Sequence, residues 1–170
     1  NPGLDRIIDA PHLSLKQVSA NINFDLKDEE PFILLIQHVI STELKFAEEQ
    51  IMETMIAIEN MGIKTVMSYP NSDPGFNEII KVINKYKKLD HLKVIKNIPR
   101  LEFINLMRNA SCMLGNSSAG IMESPLLKLP VVNIGNRQIG RLHADNVQFV
   151  KHNAREIETA TKKAIYDSEY

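Results

Sequence analysis

The chain has 170 residues, 44% of them hydrophobic, which is enough to bury one full core and points to a single domain. Twenty basic residues against twenty-one acidic ones leave a formal charge of −1, so no global field draws the protein onto nucleic acid or anionic lipid, and an anion must be held by a local site. The single Cys112 excludes an intramolecular disulfide and a CxxC metal or redox pair, and no run reaches the ~18 to 20 apolar residues of a membrane span. The opening Asn1-Pro2-Gly3-Leu4-Asp5-Arg6 lacks the order of a signal peptide and has no initiator Met. These features lead us to expect a cytoplasmic protein without metal, cofactor, nucleic-acid or membrane partner, and a chain that is a fragment or a processed product.

The first apolar signal is a short helix candidate over Leu4 to Ile8, within a segment of 28 residues that reads as a lead-in. From residue 29 to 170 a repeating pattern takes over. Pro31 to Gln37 is an unbroken apolar run that suits a strand buried on both faces. Glu43 to Met61 then places Leu44, Ala47, Ile51, Met55 and Ile58 at helical spacing, with Ser41 or Thr42 as N-cap and Gly62 as the stop. Further strands are predicted at Lys64 to Ser68, Leu92 to Ile95, Ser111 to Leu114, Pro130 to Ile134 and Val147 to Val150. Helices are predicted at Phe76 to Lys88, Leu101 to Asn109, Ser117 to Leu127 and Ala154 to Tyr166. Alternating strands and helices predict an α/β fold with a doubly wound parallel sheet. In such sheets ligands lie beyond the carboxyl ends of the strands, so the loops there are where chemistry is sought.

The richest of these loops is Leu114-Gly115-Asn116-Ser117-Ser118-Ala119-Gly120-Ile121-Met122-Glu123. Its small side chains would let a phosphate reach backbone N–H groups, two hydroxyls would donate to the phosphate, and a helix dipole would favour the charge. A Ser that merely caps the helix accounts for the same residues, since the segment is neither a Walker loop nor a GxGxxG. Glu123 would reach ribose hydroxyls beside a bound pyrophosphate, or else be a solvated first-turn acid. His38 follows the most apolar strand directly, which puts an imidazole at the crevice, although a lone histidine is more often structural. The loop Tyr69 to Gly75 is explained by turn chemistry alone. Arg137 and Arg141, after another strand, offer fixed positive charge suited to a phosphate. Cys112, inside a strand, suits a small buried hydrophobe better than a nucleophile. Jointly, hydroxyls, a His, a Glu and arginines at neighbouring strand ends are what a diphosphate with attached sugar and nucleoside requires.

Four segments then carry a resemblance: Gln37-His38, Tyr69-Pro70-Asn71-Ser72-Asp73-Pro74-Gly75, Gly115 to Glu123, and Pro130-Val131-Val132-Asn133-Ile134-Gly135-Asn136-Arg137-Gln138-Ile139-Gly140-Arg141. In order and spacing they resemble the hydrolysing UDP-N-acetylglucosamine 2-epimerases, over nearly the whole chain from about residue 30. Gly3-Leu4-Asp5-Arg6-Ile7-Ile8 resembles the segment by which that family's first domain hands over to its second, so the resemblance implies a partner domain upstream. It also implies a Rossmann-like domain that is one half of a GT-B-type fold. By the same resemblance Ser117 and Ser118 hold the diphosphate, Glu123 binds the ribose, Arg137 adds to the nucleotide site, and Ile98 meets the uracil through its backbone. His38 matches the catalytic crevice histidine facing the diphosphate and sugar, and Asn71 matches a substrate-site asparagine, though Ser72 and Pro74 depart from the Ile and Ala of the motif.

The implied reaction converts UDP-N-acetylglucosamine and water to N-acetylmannosamine and UDP by elimination and then hydration, a step in the route to sialic and related acids. Its proton-transferring carboxylates lie mostly on the other domain, so this chain alone is expected to bind UDP weakly and to turn nothing over. The residues leave open whether the sugar is N-acetylglucosamine or a diacetamido-dideoxy relative, and a homo-oligomer is compatible with them. One rival is a non-hydrolysing 2-epimerase or a GT-B glycosyltransferase donor domain. Gln37 to Glu43 argues against the former, which favours a His-Arg-Arg-Glu-like segment there. The other rival, a flavodoxin-like regulator, would want clustered acids at the end of the first strand, and Ile36-Gln37-His38 lacks them.

Overall fold

The computed structural model describes residues 2–167, so residue 1 and residues 168–170, the outer ends of the two expected segments, lie outside the described residues. Six parallel strands form one sheet: β1 (Phe32–Ile36), β2 (Lys64–Ser68), β3 (Leu92–Ile95), β4 (Cys112–Gly115), β5 (Val131–Ile134) and β6 (Val147–Val150). Their order is β3-β2-β1-β4-β5-β6. The chain thus winds outward in one direction from β1, returns, and winds outward in the other from β4. This is the dinucleotide-fold order, and its reversal leaves a crevice between the carboxyl ends of β1 and β4.

β1 is the axis of the fold because every one of its side chains is buried. Period-two alternation sends Ile33 and Leu35 to one face, with Cys112, Leu114, Val132 and Ile134. That face is covered by α3 (Ala47–Met61), α4 (Phe76–Tyr86) and α7 (Ala154–Tyr166). Phe32, Leu34 and Ile36 point to the other, where Leu15, Val18 and Ile22 of α2 (Leu15–Ile22) and Leu106 and Met107 of α5 (Arg100–Asn109) cover them. Cys112 is fully buried in this core, and desolvation pushes its thiol up to about 12. It packs as a small hydrophobe.

The opening segment is part of this packing. α1 (Pro2–Asp9) leads into α2, whose start is a capping box: Ser14 Oγ accepts from the Gln17 N–H at 3.1 Å while Gln17 Oε1 accepts from the Ser14 N–H at 2.8 Å. Arg108 donates to the carbonyls of Ile7, Ala10 and Pro11 and ties the segment to α5. The Ser14-to-Gln17 spacing is a helix signal that periodicity alone passes over.

Two expected helices are broken in the structure. The segment before α3 is a 3-10 stretch, Ser41–Phe46, in which Glu43 leaves helical geometry at φ −133° and ψ 31°. Neither Ser41 nor Thr42 caps it, because Glu43 turns back to accept from Gln50 Nε2 at 3.2 Å and the α-helix starts only at Ala47. Leu44 therefore stands 43% exposed instead of on the core face. The expected helix over Ser117 to Leu127 is a single turn, α6 (Ala119–Met122), followed by a 3-10 stretch, Ser124–Leu127. Pro125 lacks the N–H and crowds the carbonyl one turn back, so the helix stops. Gly62, by contrast, ends α3 in the left-handed conformation expected of it. Among the described residues no helix is long and apolar enough to cross a membrane.

Candidate functional site

Each residue singled out from the sequence lies beyond the carboxyl end of a strand. His38 follows β1, Asn71 follows β2, Ile98 follows β3, Ser117, Ser118 and Glu123 follow β4, and Arg137 follows β5. β1 and β4 are the strands that flank the reversal, so His38 and the serine loop face one another across it.

The two loops approach closely because of Gly115. Its φ is +129°, and a Cβ there would fall 1.8 Å from the Ile36 carbonyl oxygen. Any side chain would push β4's end off β1's. The approach brings Asn116, fully buried, against His38: Asn116 Oδ1 accepts from the His38 backbone N–H at 2.7 Å and Asn116 Nδ2 donates to the His38 carbonyl at 2.9 Å. The Asn116 carbonyl accepts from Arg137 Nη1 and from Gln138 Nε2, each at 2.9 Å. The Asn71 backbone N–H donates to His38 Nδ1, also at 2.9 Å. Asn116 thus joins His38 to Arg137, and Asn71, from a third loop, joins them through the His38 ring.

The electrostatics follow from this burial. Desolvation lowers His38 to about 4, Arg137 pushes in the same direction, and Asp73 opposes both. The imidazole is neutral at pH 7. Burial also lowers the Arg137 pKa, against the pull of Asp73 and with a push from Arg141, yet a guanidinium stays charged throughout the physiological range. The result is a fixed cation beside an uncharged ring.

Ser117 and Ser118 complete this part of the site. Ser117 Oγ accepts from the Ala119 N–H at 3.3 Å, whereas Ser118 makes no side-chain cap. Since α6 has one turn, its dipole is small, and the expectation of a helix-dipole anion site is corrected. What the loop offers instead is the hydroxyls of Ser117 and Ser118 as donors and their two backbone N–H groups, which have no bonded partner among the described residues.

Glu123 and Ile98 stand apart. Glu123 Oε2 accepts from Arg100 Nη2 at 3.2 Å, an ion pair two residues beyond Ile98 at the start of α5. Arg100 is 51% exposed and Glu123 22% exposed along their side chains. Among the described residues no hydrogen bond joins this pair to the His38 cluster.

Sequence reasoning gave no role to Asn116, Gln138 or Arg100. Asn116 lies in a quoted motif, but its contact with His38 spans 78 residues and no local pattern announces it. Among the described residues no group of three or more His, Cys, Asp or Glu is clustered as a metal site.

The sequence profile of the UDP-N-acetylglucosamine 2-epimerases matches residues 1–170. The chain belongs to this family. Among curated relatives, the UDP-N,N′-diacetylbacillosamine 2-epimerase (hydrolyzing) of Legionella pneumophila is 33% identical over 164 residues, covering 96% of this chain and 43% of the relative. The UDP-N-acetylglucosamine 2-epimerase of Neisseria meningitidis is 27% identical over 164 residues, covering 96% and 42%. In three dimensions the chain is similar to the UDP-GlcNAc 2-epimerase from Neisseria meningitidis bound to UDP-GlcNAc, with a TM-score of 0.70 and 19% identity over 91% of this chain and 42% of that one. The epimerase-family chain therefore has the Rossmann-like fold that forms one half of the GT-B architecture, and it spans less than half the length of these proteins.

Proposed function

We propose that this chain is the UDP-binding half of a hydrolysing UDP-N-acetylglucosamine 2-epimerase. The observation that carries the reading is the meeting of His38, Asn71, Arg137 and the Gly115-to-Ser118 loop at the β1–β4 reversal, where this sheet type holds nucleotides. In this proposal Ser117 and Ser118 donate to the diphosphate from hydroxyl and backbone, and Arg137 supplies the positive charge. Glu123 takes the ribose hydroxyls, and the Ile98 backbone, just ahead of α5, meets the uracil. Asn71 and His38 face the sugar side of the diphosphate.

In the proposed reaction the C2 proton of the sugar goes to a base on a facing domain. The C2–H electron pair becomes the C1=C2 bond, and the C1–O bond to UDP breaks with its electrons leaving on the diphosphate. Water then adds its oxygen at C1 and a proton returns to C2 from the other face, giving N-acetylmannosamine. This chain's share is to stabilise charge on the departing diphosphate, which a preorganised donor set beside a fixed cation does well. Without a facing domain to supply the base, the chain by itself turns nothing over.

A second reading of the sugar is favoured by the higher identity to the diacetylbacillosamine enzyme, 33% against 27%. It keeps the nucleotide and the reaction and replaces N-acetylglucosamine by a diacetamido-dideoxy sugar. Calorimetric titration of the chain with UDP, with GDP and ADP as controls, tests the common part. Selective binding of UDP is expected; equal binding of GDP and ADP, or release of UDP from UDP-N-acetylglucosamine by the chain alone, contradicts the reading.

A further inference from the structure

An imidazole carries its proton on Nδ1 or Nε2, and what it can do to a ligand depends on which. A peptide N–H settles the question wherever it points at a ring nitrogen, because it can only donate. The Asn71 N–H lies 2.9 Å from His38 Nδ1, so Nδ1 must present its lone pair and the proton must sit on Nε2. A second proton on Nδ1 would set two donors against each other. Nε2 itself has no hydrogen-bond partner among the described residues.

The ring can be held this way only if its backbone is held too. Asn116 does this with its side-chain amide, which pairs with both the N–H and the carbonyl of His38, while its own peptide N–H donates to the Ile36 carbonyl at 3.0 Å. The same asparagine's carbonyl holds Arg137 and Gln138. One buried residue thereby sets the distance between the ring and the cation. Asn is required in both directions: an aspartate at this position would still accept from the His38 N–H but would turn an oxygen toward the His38 carbonyl.

We propose that Asn116 is the positioning residue of the site and that, with the Asn71 peptide, it fixes His38 as an Nε2–H tautomer, a neutral donor to the ligand's diphosphate. The proposal rests on the nucleotide-sugar reading for the ligand and on geometry alone for the tautomer. The charged groups acting on the ring are Arg137, which opposes a second proton, and Asp73, which favours one, and burial outweighs the latter. A histidine so held cannot be the base that takes the C2 proton, since one ring nitrogen is occupied by a peptide and the other already carries hydrogen. It acts by stabilising the charge that builds on the departing diphosphate.

Histidine-15N labelling of this chain tests the assignment, with the His38 ring signals among the five histidines identified by H38Q. At pH 7 the native chain is expected to show Nε2 protonated and Nδ1 bare. N71P deletes the N–H in an exposed loop and is expected to give a mixture of tautomers and about 10-fold weaker UDP binding, the loss of one well-placed hydrogen bond. N116D is expected to shift the His38 ring signals and weaken UDP binding by at least as much; should it fail to fold, N71P decides alone. A protonated Nδ1 or an imidazolium in the native chain, or ring signals that N71P leaves unchanged, overturns the proposal. Correct ring signals in a chain that binds no UDP overturn the nucleotide reading instead and leave the positioning role standing.

Discussion

The two ends of the candidate site are built on opposite plans. At the end proposed to hold the diphosphate Asn116 is fully buried, every polar group it has is bonded, and His38 and Arg137 are held through it. At the end proposed to hold the nucleoside Arg100 and Glu123 form an ion pair on the surface, with the Arg100 side chain half exposed. The first end has its donors fixed before a ligand arrives, so little ordering remains to be done on binding. At the second, a ribose would compete with Arg100 for the Glu123 carboxylate, which accepts from Arg100 through Oε2. The end proposed to stabilise the transition state is rigid, and the end proposed to recognise the leaving nucleoside is adjustable.

Gly115→Ala breaks the rigid end most severely. A methyl group at 1.8 Å from the Ile36 oxygen, on a residue with φ +129°, forces apart the two central strands. The expected loss is more than about 3 kcal/mol of unfolding free energy, measured by urea titration. A loss below about 1 kcal/mol would mean that the β1–β4 approach is not fixed by this glycine.

Arg137→Ala and Ser117→Ala test what the rigid end holds. Each removes a donor without touching the sheet, and each is expected to weaken UDP binding by about 1–3 kcal/mol in calorimetry. Arg137→Ala also releases the Asn116 carbonyl to Gln138 alone, so its effect should be the larger. Unchanged affinity in both would remove the β4 and β5 loops from the binding site.

Acid provides a milder break. His38 falls from 6.5 to about 4 on folding, so between those values the unfolded chain binds the proton and the folded chain does not. Stability contributed by the neutral ring is fully present above pH 6.5 and is lost as pH falls through about 4. Burial lowers His152 too, which adds in the same direction. Urea titrations across this window should show stability falling with pH, and His38→Gln should flatten part of the slope.

How much of this was legible beforehand follows the same division. The sheet was readable because β1 is apolar on both faces and the helices repeat between strands, and those are properties of neighbouring residues. The loops of the candidate site were readable as motifs and as strand ends. The breaks were harder. Pro125 inside the expected helix after β4 is a visible stop, but the turn at Glu43 depends on Gln50 reaching back to it. The role of Asn116 was not readable at all, because a side-chain amide pairing with a peptide 78 residues away leaves no periodic or compositional trace. Motifs name the residues at a site; which of them holds the others is decided by tertiary contact.

The smallest expected effect bears on the adjustable end. Arg100→Ala removes a pair that water screens well, so the fold should lose less than about 1 kcal/mol. If Glu123 is a ribose ligand held in reserve by Arg100, freeing it should leave UDP affinity unchanged or raise it slightly, since no ion pair then has to open. Glu123→Gln supplies the complementary result: it keeps the shape, weakens acceptance from two hydroxyls, and should narrow the preference for UDP over 2′-deoxy-UDP. A preference that stays the same in Glu123→Gln, together with an affinity that falls in Arg100→Ala, would reverse the assignment. The arginine would then be the group that meets the nucleotide and the carboxylate the one that holds it ready, and the nucleoside end would be preorganised after all.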